Sequence, residues 1–159
     1  MKKSKPLLTY EAVKEKALRL LEFRAHSEKE LSDKLRRAGA SDEFIEETLE
    51  FCRQYKFVDD RDYAIRKAHD LLTLKCYGRH RIKQELRVLG IDDEYIELAL
   101  SETDSEKEAD NLARLAEKKL GGDHSQKNKQ KCIRFLIYRG YDIYDIKNAL
   151  ERLEDHDDI

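Results

Sequence analysis

A repeat of about 50 residues constrains the fold more than any other feature of this sequence. Gly39, Gly90 and Gly140 are spaced 51 and 50 residues apart. Apolar residues or cysteine occupy four equivalent positions around each glycine: Leu31, Leu35, Ile45 and Leu49; Ile82, Leu86, Ile96 and Leu100; Cys132, Leu136, Ile146 and Leu150. Four-residue spacing places side chains on one face of an α-helix, so each copy is predicted to contain a helix, a glycine turn and a second helix. Three copies in phase indicate tandem structural repeats.

The middle copy, LRVLGIDDEYIELAL, shows the local signals most clearly. Gly90 is predicted to end the first helix in a left-handed conformation, which costs glycine little because it has no Cβ. Asp92 is predicted to accept a hydrogen bond from the free N–H groups of the following helix, and Glu94 adds negative charge near its positive end. In the first copy, Ser27 and Glu30 have the spacing of a capping box.

Composition supports a helical fold. The 159 residues include one proline and six glycines, and 42% of them are charged. The predicted fold is all-α: three tandem three-helix repeats, each a helix-turn-helix-like unit, forming an elongated, curved body. The predicted divisions are a flexible lead-in at residues 1–8, repeats at residues 9–56, 57–102 and 103–153, and an acidic tail at residues 154–159.

Several classes of function lack support in the sequence. The cysteines are three, far apart and without C-x-x-C spacing, which indicates reduced thiols in a cytoplasmic protein. No histidine pair has metal-ligand spacing, and the phosphate-binding and nucleophile motifs are missing. Asp59 and Asp60 are interpreted as helix caps rather than Mg²⁺ ligands. We therefore expect no enzymatic activity, catalytic residue, cofactor, metal or membrane span.

Charge is sorted by helix, since the second helix of each repeat is basic and the third is acidic. Arg79, Arg81 and Lys127 lie at helix starts, where the helix dipole disfavours positive charge, so dipole compensation does not account for them. The basic second helices are therefore predicted to form an interaction surface for protein or DNA phosphate. The candidate residues are Arg36, Arg37, Arg79, Arg81, Lys83, Arg87, Lys127, Lys131, Arg134 and Arg139.

Reading of the DNA major groove by the third helices is disfavoured. Those helices begin with S-D-E, D-D-E and Y-D-I, and carboxylates at that end would be repelled by phosphates. The formal net charge is −2, so the chain has no overall basic excess. Contact of the basic second helices with a phosphate backbone, or with an acidic protein surface, remains open.

Three segments carry a family resemblance. They are ALRLLEFRAHSEKELSDKLRRAG at Ala17–Gly39, FVDDRDYA at Phe57–Ala64 and YGRHRIKQELRVLGIDDEYIELAL at Tyr77–Leu100. They are similar to the A-L-x-x-L-x-x-R-x-x-S-x-x-E-L start, the D-D junction and the G-x-x-x-I-x-x-E-L middle of the RecX family. The resemblance covers nearly the whole chain and is specific in the first two repeats. Members are often more basic than this chain.

The resemblance implies an all-α regulator that binds the RecA protein and the groove of the RecA–DNA filament. It implies inhibition of recombinase, ATPase and coprotease activity in DNA repair, recombination and the SOS response. We expect a cytoplasmic monomer with weaker direct DNA contact at most. Two alternatives from the charge pattern are a stand-alone DNA-binding protein and a helical-repeat scaffold for another acidic partner.

Overall fold

A computed structural model describes residues 6–157, and within that range the chain forms nine α-helices and no β-strand. Residues 1–5 of the predicted lead-in, and residues 158–159 of the predicted tail, lie outside the described residues. The helices are α1 (Tyr10–Phe23), α2 (Glu28–Arg37), α3 (Asp42–Gln54), α4 (Asp60–Thr73), α5 (Arg79–Val88), α6 (Asp93–Ser101), α7 (Ser105–Leu120), α8 (Gln126–Tyr138) and α9 (Ile143–Asp157). Helix α9 therefore continues past residue 153, where the third repeat was predicted to end. No helix of residues 6–157 is long and apolar enough to cross a membrane.

Each third of the chain packs around a core of its own, which confirms the predicted architecture of three tandem three-helix repeats. The first core lies among α1–α3, the second among α4–α6 and the third among α7–α9. All twelve positions of the sequence repeat are buried, with at most 6% of any of these residues exposed. Burial of these side chains is the main term that stabilises each unit.

The glycine turns between the second and third helices have the predicted backbone. Gly39, Gly90 and Gly140 have φ angles of 93°, 77° and 99°. After each glycine, the next residue donates its N–H to the carbonyl five residues back, and the bond from Ile91 N to Leu86 O is 3.1 Å long. The prediction for Gly90 is confirmed.

Helix starts follow the sequence signals with two exceptions. The capping box of Ser27 and Glu30 is present, and Asp59 accepts a hydrogen bond from Asp62 N at 3.1 Å. The prediction for Asp92 is wrong in part: Asp92 is the N-cap residue of α6, but its side chain makes no capping hydrogen bond. It contributes only charge near the helix start. The second exception is Asp60, which caps α2 rather than its own helix α4.

The start of α2 docks onto repeat 2. Ser27 Oγ donates to Leu89 O at 2.6 Å, and Glu28 N donates to Asp60 Oδ1 at 2.9 Å. Tyr63 OH donates to Glu30 Oε1 at 2.9 Å. We call this set of contacts junction 1–2. It places the second helix of repeat 1 against the glycine turn of repeat 2.

The start of α5 docks onto repeat 3 in the equivalent way. Gly78 N donates to Arg139 O at 2.9 Å, and His80 N donates to Gly140 O at 3.1 Å. Arg79 N, between them, donates to Glu108 Oε1 at 3.2 Å. These acceptors satisfy three N–H groups at the start of α5, which has no side-chain cap. We call this set of contacts junction 2–3.

The equivalent place at the first glycine turn is taken by the lead-in. Leu7 N donates to Ala38 O at 3.3 Å, and Leu7 packs against the first core. A Cβ built on Gly39 would lie 2.9 Å from Pro6 Cβ. Residues 6–7 thus cover the first glycine turn.

Candidate interaction surface

Arg79, Lys83 and Arg87 lie four residues apart along one side of α5, and each contacts another group of its own repeat. Lys83 Nζ lies 2.9 Å from Glu97 Oε1, and Arg87 Nε lies 3.4 Å from Asp93 Oδ1. Arg79 Nη1 donates to the backbone carbonyl of Leu100 at 3.2 Å. Arg79, Lys83 and Arg87 are therefore already engaged, and a partner would have to compete for them.

Arg81 and Arg139 belong to junction 2–3. Arg81 donates to Glu85 Oε1 at 2.9 Å and to Tyr138 O at 3.3 Å. The Arg81 guanidinium also lies 4.8 Å from the centre of the Tyr77 ring and 4.9 Å from that of Tyr138. Arg139 lies 4.8 Å from the Tyr77 ring and donates to Lys75 O. The geometry gives both arginines a role in joining repeats.

Repeat 1 contributes two of the candidate residues, Arg36 and Arg37, of which only Arg36 forms ion pairs within residues 6–157. Arg36 pairs with Asp33 at 3.3 Å and with Asp42 at 3.2 Å, while its side chain stays 54% exposed. Arg37 is exposed, and no ion pair involves it within residues 6–157. Pairs as exposed as these contribute little to stability.

Repeat 3 differs, because three predicted cations of α8 are exposed and form no ion pair with the described part of the chain. Lys127, Lys131 and Arg134 follow one another at four and three residues, and so lie along one face of the helix. The neighbouring Lys129 points elsewhere and pairs with Glu154. Among the ten candidate residues, this trio is the set best placed to attract an acidic partner.

The difference follows from the positions that the cations occupy within the repeat. Asp93 and Glu97, which neutralise α5, lie three and seven residues after Gly90. The same positions after Gly140 are Ile143 and Lys147. Lys83 and Arg87, with which these carboxylates pair, lie seven and three residues before Gly90, and the same positions before Gly140 are Ile133 and Ile137. These ion pairs between the second and third helices therefore have no counterpart in repeat 3. The trio lies 13, 9 and 6 residues before Gly140, where repeat 2 has Tyr77, Arg81 and Gln84.

Sequence reasoning missed an exposed apolar cluster next to this trio. Ile137 and Tyr138 end α8, and Ile143 and Tyr144 begin α9. All four are exposed, Tyr138 by 72% and Tyr144 by 70%. The signal that could have revealed it is the loss of charge at exposed positions, because Ile137, Ile143 and Tyr144 replace residues that are charged in both other repeats.

A cavity of about 330 Å³ opens between α5 and the start of α9. Its walls mix cations and carboxylates: Arg79, His80, Lys83, Glu97, Glu108, Asp142 and Asp145. Burial raises the pKa of Glu108 above its usual range, although the hydrogen bond from Arg79 N opposes the shift. No cluster of residues suited to a metal ion is found within residues 6–157.

Three family models match the chain, one after another. They describe the first, second and third three-helix domains of RecX and match residues 14–52, 59–100 and 106–150. The chain belongs to the RecX family. The predicted family is confirmed, and the matches extend to the third repeat, where the sequence resemblance is less specific.

Individual RecX proteins show the same relationship. The regulatory protein RecX of Clostridium botulinum (strain Eklund 17B / Type B) is 35% identical over 143 residues, which are 87% of this chain and 66% of that protein. The chain thus spans slightly less than two thirds of that relative. The regulatory protein RecX of Vibrio campbellii is 36% identical over 147 residues, which are 91% of this chain and 92% of that protein. The family is accordingly one of regulatory proteins.

Solved RecX structures share the fold. The crystal structure of RecX from Lactobacillus salivarius superposes with a TM-score of 0.81 at 24% identity, covering 91% of this chain and 96% of that one. A second RecX crystal structure superposes with a TM-score of 0.76 at 25% identity, covering 87% and 73%. Both support the three-repeat architecture.

Proposed function

We propose that this protein is a cytoplasmic regulator that binds RecA and RecA–DNA filaments and usually inhibits recombinase, ATPase and coprotease activity. Membership of a family of regulatory proteins supports a regulatory role. The observation that carries the surface assignment is the α8 trio: Lys127, Lys131 and Arg134 are exposed, lie on one helix face and have no ion pair within residues 6–157.

The cations of α5 that already have partners give a less direct test of this proposal. Arg79, Lys83 and Arg87 already contact groups of repeat 2. Reversal of their charge would weaken binding if they meet RecA, but it would also set carboxylates against Glu97 and Asp93. The α8 trio offers the cleaner test because its reversal breaks no ion pair within residues 6–157.

The test is the single-strand-DNA-dependent ATPase of RecA. The unmodified protein should lower the rate at amounts well below those of RecA. The triple variant Lys127→Glu, Lys131→Glu, Arg134→Glu should lose most of this effect while keeping its helix content. A variant with the same change in net charge at three other exposed cations, Arg61, Lys75 and Lys118, should keep it.

Two results would contradict the proposal. One is the absence of any effect of the unmodified protein on RecA. The other is equal inhibition of an unrelated DNA-dependent ATPase, which would indicate competition for the DNA rather than regulation of RecA.

Direct DNA binding is the second candidate, because a row of free cations can neutralise phosphates. It predicts tight binding to single-stranded DNA without RecA, falling steeply with salt as counterions are released. The three cations of α8 would give a slope of roughly −2 in a plot of log K against log salt. A flat salt dependence would exclude this candidate.

A further inference from the structure

Repeats 1 and 2 share an ion pair that repeat 3 replaces with two isoleucines. Arg36 and Asp42 lie three residues before and after Gly39 and are 3.2 Å apart. Arg87 and Asp93 hold the same places around Gly90 at 3.4 Å. Around Gly140 these places are held by Ile137 and Ile143. One pair of positions, bridging the second and third helices, has thus changed from charged to apolar.

These isoleucines are not part of the repeat 3 core. Ile137 is 49% exposed and Ile143 is 42% exposed, whereas the core residues Leu136 and Ile146 are fully buried. Tyr138 and Tyr144 follow them directly in sequence and are still more exposed. Four large apolar or aromatic side chains at a single helix–helix turn thus stay 42–72% exposed, although Tyr138 also contacts Arg81. Such a patch is typical of a contact surface.

The patch continues the basic row of α8. Lys127, Lys131, Arg134 and Tyr138 are spaced at four, three and four residues, so that the tyrosine lies on the same helix face as the cations. At 1.5 Å per residue the row extends over about 16 Å. The surface is therefore positive along its length and apolar at its C-terminal end.

We propose that repeat 3 docks an acidic protein segment that carries an aliphatic or aromatic side chain. The carboxylates would lie along Lys127, Lys131 and Arg134, and the apolar side chain would pack between Ile137 and Ile143 with the tyrosines beside it. Charge complementarity would steer the segment, and burial of the apolar side chain would hold it.

The geometry favours a protein segment over a single-stranded nucleic acid. Nucleobases bind by stacking on aromatic faces. The Arg81 guanidinium already lies 4.9 Å from the centre of the Tyr138 ring. Ile137 and Ile143, which precede the two tyrosines, offer no flat face for stacking. Aliphatic side chains suit an aliphatic or aromatic side chain of a protein partner.

This inference goes beyond the proposed function, because it names new residues and an occupant by its chemistry and does not require that the partner be RecA. The deciding variant restores the ion pair of the other repeats: Ile137→Arg with Ile143→Asp. It should fold normally, since the same pair is accommodated at the same turn twice in this chain. The matched control is Leu74→Arg with Val88→Asp, which introduces the same two residues at exposed apolar positions of repeat 2.

The probe is a fluorescent peptide of Asp and Glu residues with a central Leu–Phe pair, followed by anisotropy. A second peptide has Ser–Ser in place of Leu–Phe. The unmodified protein should prefer the Leu–Phe peptide, and the Ile137→Arg, Ile143→Asp variant should bind it at least ~10-fold more weakly. The repeat 2 control should bind it as the unmodified protein does.

Equal binding of the two peptides, or unchanged binding by the Ile137→Arg, Ile143→Asp variant, would overturn the proposal. A third result would also overturn it: the unmodified protein binds oligothymidine more tightly than the Leu–Phe peptide, and the variant loses only the binding of oligothymidine. The surface would then be a nucleic-acid site. The RecA ATPase assay separates the two proposals. If the variant inhibits RecA fully, the function stands without this surface; if no form inhibits RecA but the peptide results hold, the surface stands without the function.

Discussion

The two junctions join neighbouring repeats through different groups: side chains at junction 1–2, and mainly backbone N–H groups at junction 2–3. Ser27 and Gly78 occupy equivalent positions, 12 residues before Gly39 and Gly90. Ser27 caps its own helix and donates its hydroxyl to the turn of repeat 2. Gly78 has no side chain, so the turn of repeat 3 approaches closely enough for backbone N–H groups to bind its carbonyls directly.

Repeats 2 and 3 approach so closely at junction 2–3 that an added Cβ would clash with backbone atoms. A Cβ built on Gly78 would lie 2.5 Å from the carbonyl carbon and oxygen of Gly140. A Cβ built on Gly140 would lie 2.4 Å from Arg81 N. At junction 1–2 a Cβ built on the corresponding Gly90 would lie 2.5 Å from Cβ and Cδ of Lys29. The Cδ can move away, whereas the Cβ is fixed to the backbone of α2, so only part of this clash can be relieved. The comparison indicates that junction 2–3 tolerates substitution least.

Gly140→Ala should produce the largest loss of stability. The new Cβ would strike the backbone of α5, and the φ angle of 99° is itself unfavourable for alanine. We expect a loss of about 4 kcal/mol in the free energy of unfolding, measured by urea denaturation. Gly122→Ala is the control: its φ of 79° is also left-handed, but nothing lies within 4 Å, so about 1 kcal/mol is expected. The loss for Gly90→Ala should lie between these two values. Equal losses for Gly140 and Gly122 would show that backbone conformation, not the junction, is decisive.

Exchange of the residues at the equivalent positions tests the two junction chemistries directly. Gly78→Ser should cost about 3 kcal/mol, because its Cβ overlaps the Gly140 peptide although its φ of −80° suits serine. Ser27→Gly should cost about 1 kcal/mol, through loss of the cap and of the bond to Leu89 O. Both values come from urea denaturation, and a larger loss for Ser27→Gly would reverse the proposed order of the junctions.

Acid should weaken junction 1–2 through Glu30. Hydrogen bonds from Arg24, Ser27 and Tyr63 outweigh burial and lower the pKa of Glu30 to about 2, from an ordinary 4.5. Because the folded state holds this proton less tightly than the unfolded state, the stabilisation is complete above pH 4.5 and declines as pH falls towards 2. At neutral pH, Glu30→Gln should cost about 2 kcal/mol.

The measurement is urea denaturation of both proteins between pH 7 and pH 2. The difference between them should shrink below pH 4.5. A constant difference would mean that Glu30 acts through shape rather than charge.

Loss of stability near pH 6 in both proteins would have another source, the buried His26, whose pKa is lowered chiefly by burial.

The smallest effect is expected at the ion pair that repeats 1 and 2 share. Asp42→Asn and Asp93→Asn should each change the free energy of unfolding by less than ~0.5 kcal/mol, because both pairs are exposed. Thermal and urea denaturation would measure the change. A loss above ~1 kcal/mol would mean that the pair supports the turn, and that the isoleucines of repeat 3 serve stability in its place.

Much of the fold was predictable because its signals are local. The apolar spacing of Leu31 and Leu35 indicates a buried helix face, and a glycine four residues after Leu35 ends that helix. The capping box of Ser27 and Glu30 likewise depends on neighbours within one turn. The side chain of Asp92 is the exception, since the expected capping bond is not formed.

The candidate surface was less predictable, because whether a cation is free depends on residues distant in sequence. Lys83 and Lys131 look alike in the sequence. Lys83 meets Glu97 of the next helix, whereas Lys131 has no such partner in the described part of the chain. The role of the ten basic residues in binding stays a prediction.

The sequence by itself determined the period, the helices, the glycine turns and the three cores, because each depends on side-chain spacing within a few turns of helix. Only the tertiary structure decided how the repeats join and which charges stay free. Backbone N–H groups of α5 find their acceptors in repeat 3, some 60 residues away along the chain. No local pattern encodes that contact, because a glycine at a helix start looks the same whether its N–H meets water or another repeat.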